Sequence, residues 1–217
     1  MKYPRWTTRF VSPEEIHSVA QTVKAAEAAT SGEIVPMLVR RSSHLGHIHF
    51  QVMALLLICL LMTSILGEQG GYFELPVWFL TAGSLFMLPL AEFLTRSFFV
   101  QRLFTVASER DHQVRMRAMV EFYDSGFQKT KEHTGVMIFL SLMERKCVVL
   151  ADEGIAKKLP PETWNGIVTK VIEGIRSGHP ARGLNDGIQE CGKILSLHFP
   201  ASGQHENQLS NRLIIKE

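Results

Sequence analysis

The sequence predicts an α/β domain interrupted by a two-helix transmembrane hairpin, and three observations carry that expectation. No Lys, Arg, Asp or Glu occurs from Ser42 to Gly67 or from Leu75 to Ala91, whereas the flanking regions are richly charged. Helix-like and strand-like apolar patterns lie on both sides of these runs. The one short strand-like run before them has no local partner for its backbone, so it needs the strands that follow them. One chain of 217 residues is therefore built for two solvents.

The elements follow in order. Ser12-Pro13-Glu14-Glu15 is a helix start, with Ser12 as N-cap, Pro13 at the first helical position and Glu15 three residues after the cap. Ile16, Val19, Ala20 and Val23 recur at helical spacing, and the helix is expected to run to Ala29 and stop at Thr30-Ser31-Gly32. Glu33 to Arg40 is a short run of branched apolar residues that reads as a strand, with Pro36 favouring an edge or a bulge.

Phe50 to Leu66 shows no periodicity and is apolar on every face, as a helix surrounded by lipid is. The second run, Leu75 to Leu94, has Trp78 near one end and Glu92 near the other, with Pro89 expected to bend it. Glu92 stands four residues before Arg96, the spacing of an interfacial ion pair. The spans are placed at about 49–67 and 75–94. Arg40 and Arg41 precede them, Arg96 and Arg102 follow them, and the acidic turn 68–74 between them has no basic residue. By the positive-inside rule both termini are then cytoplasmic.

After the second span a helix with Val114, Ala118, Met119 and Phe122 on one face is expected to reach Asp124. Gly135 to Leu142 and Cys147 to Ala151, joined by Met143-Glu144-Arg145-Lys146, read as an antiparallel hairpin buried on both faces. Pro160 and Pro161 open a helix with Trp164, Ile167, Val168, Val171 and Ile175 as its buried stripe, ended by Ser177-Gly178. A last helix from Ala181 carries Leu184, Ile188, Cys191, Ile194 and Leu195 and stops before Pro200, leaving a polar tail.

Composition excludes some functions. A formal net charge of +2 with no clustered basic patch argues against nucleic acid as a partner. Cys59, Cys147 and Cys191 have neither disulfide nor C-x-x-C spacing and read as packing residues. The charged N-terminus is followed by polar residues, so it is not read as a signal peptide. No G-x-S-x-G, Walker loop, G-x-G-x-x-G or H-E-x-x-H is present. His44, His47 and His49 are close enough in sequence to consider as transition-metal ligands, with headgroup contacts as the alternative role.

The candidate site rests on carboxylates. Asp152 and Glu153 end what reads as a central strand, and Glu33 begins another. Should those strand ends converge, the three form an oxygen site for Ca²⁺ or Mg²⁺ suited to phosphoester hydrolysis; the alternative is that they cap turns and helix starts.

The segment Thr134 to Leu142, Glu144-Arg145-Lys146, and Val148 to Ile155 with its Ala151-Asp152-Glu153-Gly154-Ile155 ending resembles the core of the TPM domain. The Thr30 to Pro36 strand, the Arg117 to Phe122 helix, the Trp164 helix and the Gly183 to Leu195 helix follow in the order of its bacterial membrane-inserted members. The resemblance implies a three-layer α/β/α sandwich in a family that includes a thylakoid acid phosphatase, photosystem II repair factors and a receptor accessory protein. This chain has Thr134 where many members place Asn or Asp, and its apolar hairpin lies inside the domain, which points to a cytoplasmic-facing variant.

Domain boundaries are then expected at 1–41 for the first helix and strand, 42–96 for the hairpin, 97–200 for the rest of the domain and 201–217 for the tail. The expected function is a non-catalytic interaction, assembly or maintenance factor for a membrane complex in the bacterial inner membrane. Its partners are the lipid bilayer and another membrane protein, and an oligomer is allowed. A divalent-metal-assisted acid phosphatase is the alternative. No resident cofactor is assigned apart from Ca²⁺ or Mg²⁺ in that alternative.

Overall fold

The structure, a computed structural model, describes residues 4, 6–42, 46–69, 77–95, 107–126, 133–201 and 209–217, without the side chains of 46–48, 67–69, 77–80 and 107. The chain forms two compact units, one of Met1–Ser42 with Asp111–Glu217, the other of Ser43–Arg110.

The first unit opens with α1 (Pro13–Glu27), whose start is fixed by a capping box: Glu15 N–H donates to Ser12 Oγ at 3.2 Å, and Ser12 N–H donates to Glu15 Oε2 at 2.7 Å. Strand β1 (Glu33–Val39) follows, and after the second unit come α4 (Ala107–Asp124), β2 (Gly135–Ser141) and β3 (Lys146–Ala151). A four-residue helix α5 (Glu153–Ala156), a 3₁₀ turn (Pro161–Trp164), α6 (Asn165–Arg176), α7 (Pro180–His198) and β4 (Ile214–Lys216) complete it. Gly178, between α6 and α7, has φ 82°, a left-handed position that glycine occupies without strain.

The sheet has the order β3-β2-β1-β4. β1 pairs parallel with β2 and with β4, and β2 pairs antiparallel with β3. Alternation along the strands sorts the core into two layers. Ile34, Leu38, Val136, Ile138 and Leu140 face α1, α6 and α7, packing with Val19, Val23, Ile167, Val171, Leu184 and Ile188. Val35, Met37, Val39, Met137 and Phe139 face α4 through Val114, Ala118 and Phe122. Helices thus cover both faces of the sheet.

Three expectations change. The tail is not polar to its end, because Ile214–Lys216 adds a fourth strand beside β1. Lys216 forms an ion pair with the buried Glu121 of α4, which Arg117 also meets at 2.8 Å, so two cations offset the desolvation of that carboxylate. β1 is therefore an interior strand. Pro36 is tolerated there because Glu33 N–H points to β2, so residues 34, 36 and 38 point the other way, and β4 pairs only from Met37 onward. β3 is an edge strand and largely half-buried, whereas every residue of β2 is buried.

The second unit contains α2 (Gly46–Gln69) and α3 (Val77–Thr95). They pack antiparallel through Val52, Met53 and Leu56 of α2 against Ala91 and Leu94 of α3. Among the described residues one helix is long and apolar enough to cross a membrane, over His49–Leu66. Many of its apolar side chains, among them Leu55, Ile58, Leu61, Met62 and Ile65, are exposed. In α3 the described apolar stretch Thr81–Thr95 is shorter, about 22 Å at 1.5 Å per residue against a hydrocarbon core of about 30 Å. The 68–74 turn falls largely outside the described residues, and Arg96 and Arg102 lie wholly outside them. Glu92 lies 3.5 Å from His49 Nδ1, an ion pair when that ring is protonated. His44 and the His47 side chain lie outside the described residues, so the histidine cluster has only His49 in view.

Candidate functional site

The predicted carboxylates lie at the end of the sheet where β1 and β2 begin and β3 finishes. Glu33 pairs in register with Gly135, and Ala151 with Val136, so Glu33 and Asp152 flank the first residue of β2 from either side. The backbone closes this end: Glu33 N–H donates to Thr134 O at 3.0 Å, and Asp152 N–H to Gly135 O at 2.8 Å. Thr134 Oγ1 donates to Ser31 O at 3.2 Å, and Thr30 Oγ1 donates to Phe199 O at 2.6 Å. Glu33, Thr30, Ser31, Thr134 and Asp152 are all buried.

The three candidates have different surroundings. Asp152 caps α5, accepting from Glu153 N–H at 2.8 Å through Oδ1, while Oδ2 lies 3.2 Å from Nδ1 of His133. His133 reaches it from a left-handed backbone position, φ 51°. Glu153 is exposed and pairs with Lys157 one helical turn on at 2.8 Å. The hydrogen bond and charge of Lys157 hold its carboxyl below the ordinary value. Asp152 was expected to end a central strand; β3 is an edge strand because it pairs with β2 on one side and with no described strand on the other.

The structure brings Glu33 and Asp152 to one end and leaves Glu153 on the solvent side. A Ca²⁺ ion takes six to eight oxygen ligands, and Mg²⁺ six in octahedral array. Among the described residues no group of three His, Cys, Asp or Glu side chains is gathered to hold a metal ion. Asp152→Ala is expected to lower stability by about 1–2 kcal/mol, through loss of the cap and of the His133 contact. Glu153→Ala leaves it unchanged; urea unfolding of the two variants checks the contrast.

A further carboxylate belongs to this end and was not anticipated. Glu27, at the end of α1, accepts the Ile34 N–H at 2.8 Å and so satisfies β1 where β4 does not reach. Burial pushes its pKa from 4.5 up to about 7, against the opposing effect of the Ile34 hydrogen bond and with help from the charge of Glu33. The folded state therefore keeps a proton that the unfolded chain releases near pH 4.5. This contribution to stability is fully present below about pH 4.5 and is lost as pH rises through about 7. Glu27→Gln keeps an acceptor for Ile34 and removes the titration. It is expected to raise stability at pH 8 by about 2 kcal/mol and to flatten the profile between pH 4.5 and 7, read by denaturant unfolding across pH.

The opposite end, where β1 and β2 finish, holds a hydroxyl chain. Ser42 Oγ donates to Ser141 Oγ at 2.9 Å, Ser141 Oγ to Glu144 Oε2 at 2.5 Å, and Ser42 N–H meets both oxygens of Glu144 at 3.3 Å. Ser141 is fully buried, which gives it a structural role in closing the β2–β3 turn.

Comparison with known proteins agrees with this architecture. The family described as the TPM domain matches residues 96–194. A solved structure, the NMR structure of the BA42 protein from the psychrophilic bacterium Bizionia argentinensis, is similar with a TM-score of 0.60 at 19% identity, covering 95% of this chain and 96% of that one. At that identity the likeness speaks to fold alone. Among curated proteins none matches the chain. The match to the TPM domain spans α4 to most of α7, and β1 and α1 complete the same sheet and core outside it.

Proposed function

We propose that this chain is a membrane-anchored TPM-domain protein that acts as a non-catalytic interaction or assembly and maintenance factor for a membrane complex. The observation that carries the reading is α2, a helix of membrane-spanning length with many of its apolar side chains exposed. An apolar helix of that length with most of its surface uncovered is stable in hydrocarbon and a liability in water. In this reading α3 returns across the bilayer as the second span. Arg40, Arg41, Arg96 and Arg102 keep both termini and the α/β unit on the cytoplasmic side of a bacterial inner membrane.

The carboxylates Asp152 and Glu27 support a structural assignment, since Asp152 caps α5 and the half-buried Glu27 satisfies the Ile34 amide. Purification of the natively expressed protein in mild detergent is expected to return a second membrane protein in fixed proportion. Recovery of this chain alone contradicts the proposal.

A divalent-metal-assisted phosphatase is the second reading, favoured by one observation, the two buried carboxylates Glu33 and Asp152 on either side of Gly135. Phosphoester turnover that requires Mg²⁺ or Ca²⁺ and disappears in Asp152→Asn and Glu33→Gln decides for it. A rate equal to the blank decides against it.

A further inference from the structure

The end of the sheet where β1 and β2 finish differs in charge from the end just described. Arg40 and Arg41 follow β1 and are exposed. Met143 N–H donates to Arg40 O at 3.1 Å and Leu142 N–H to Val39 O at 3.1 Å, so the β2–β3 turn lies against them, and that turn carries the exposed Arg145. The acids nearby have partners. Glu144 binds the Ser42 amide and the Ser141 hydroxyl, Asp111 pairs with Lys146 at 2.8 Å, and Glu121 is buried between Arg117 and Lys216. Arg40, Arg41 and Arg145 thus present three exposed cations at this end.

Two further observations point to an anionic partner. Arg145 has φ 53°, a left-handed position where Asn or Gly is accommodated at lower energy, so an arginine there carries a conformational cost. The chain also leaves this unit after Ser42 and re-enters it at Asp111, and both are tied to this end, Ser42 to Ser141 and Asp111 to Lys146. Only residues 43–45 separate Ser42 from the start of α2.

We infer that Arg40, Arg41 and Arg145 form a docking surface for the headgroups of anionic lipids, holding the α/β unit against the bilayer. This rests on the reading of α2 as a membrane span. With α2 in lipid, the short connection limits how far Arg40 and Arg41 can stand from the headgroups, whose negative surface potential favours each nearby cation. The guanidinium fork suits phosphate oxygens, which it meets in pairs.

The test is arginine footprinting of the full chain with phenylglyoxal, one copy per nanodisc, in phosphatidylcholine and in phosphatidylcholine with phosphatidylglycerol. Modification of Arg40, Arg41 and Arg145 is expected to slow about fivefold or more in the anionic discs and to recover in 0.5 M salt, while the exposed Arg176 and Arg182 react alike in both. Arg145→Asn fits the left-handed position, so its unfolding midpoint should hold or rise while protection of Arg40 and Arg41 falls. Equal rates in the two lipids overturn the inference while leaving the membrane span standing. Protection that appears in neutral lipid only with two copies per disc also overturns it, in favour of contact between copies. A chain that does not stay with discs of either composition overturns the span reading and this one with it.

Discussion

Gly174→Ala is expected to destabilise the α/β unit by about 3 kcal/mol. A Cβ at position 174 of α6 lies 2.4 Å from Gly183 Cα, 2.6 Å from Gly183 N and 3.0 Å from His179 O. These are backbone atoms of α7 and its approach, so no side chain can swing aside, and the two helices must separate. Separation opens the layer formed by Val171, Ile167, Leu184 and Ile188, all buried against the sheet. Alanine's better helix propensity returns about 1 kcal/mol, which does not offset that loss. Gly166 is the matched control: nothing lies within 4 Å of its added Cβ, so Gly166→Ala is expected to stabilise by up to about 1 kcal/mol. Chemical unfolding of the two variants in the same detergent reads the contrast.

The double substitution Ile58→Arg and Leu61→Arg is expected to release the protein from the membrane fraction. Both residues lie near the middle of His49–Leu66 and are more than half exposed. An arginine at the centre of a span costs about 2.5–3.5 kcal/mol on insertion scales, so two disfavour insertion by a factor on the order of 10⁴. Alkaline carbonate extraction reads the shift. If α2 is instead a helix bathed in water, arginines on its exposed face improve solubility and the fractionation does not change.

Much of the α/β unit was legible because its signals are local. The capping box at Ser12 and Glu15 sits within one turn, and α4, α6 and α7 bury the residues that recur at helical spacing. The β2–β3 hairpin was visible as two apolar runs around a four-residue turn. What escaped depends on residues far apart in the chain. β4 is three residues long, too short for periodicity, and becomes a strand only because β1 offers it an edge. Once it pairs, β1 moves to the interior, whereas β3 is at the rim with or without it, because β3 pairs with β2 alone, and Asp152 therefore ends an edge strand.

The site was partly legible for the same reason. Glu33 and Asp152 were singled out from their places at strand ends, and both reach the same end of the sheet. Glu153 differs because its partner Lys157 lies one turn ahead, an i,i+4 signal that favours a solvated pair. Glu27 carried no signal as a helix-end glutamate; its raised pKa comes from burial near β1 and from Glu33. The Ser42, Ser141 and Glu144 chain joins residues about a hundred positions apart, and only the β1–β2 pairing brings them together.

Thiol labelling tests the membrane placement of α2 most directly. Of the three cysteines, Cys147 and Cys191 are buried in the α/β core, where burial pushes the Cys147 thiol up to about 12 and that of Cys191 higher still, so neither reacts in the folded protein. Cys59 is exposed on α2, within the apolar stretch. In detergent-free membrane vesicles opened to both sides, a water-soluble maleimide is expected to label no cysteine, because lipid covers Cys59, and to label all three once SDS unfolds the chain. Prompt labelling of Cys59 in the intact vesicles, to one probe per chain, contradicts the membrane span and the anchoring built on it.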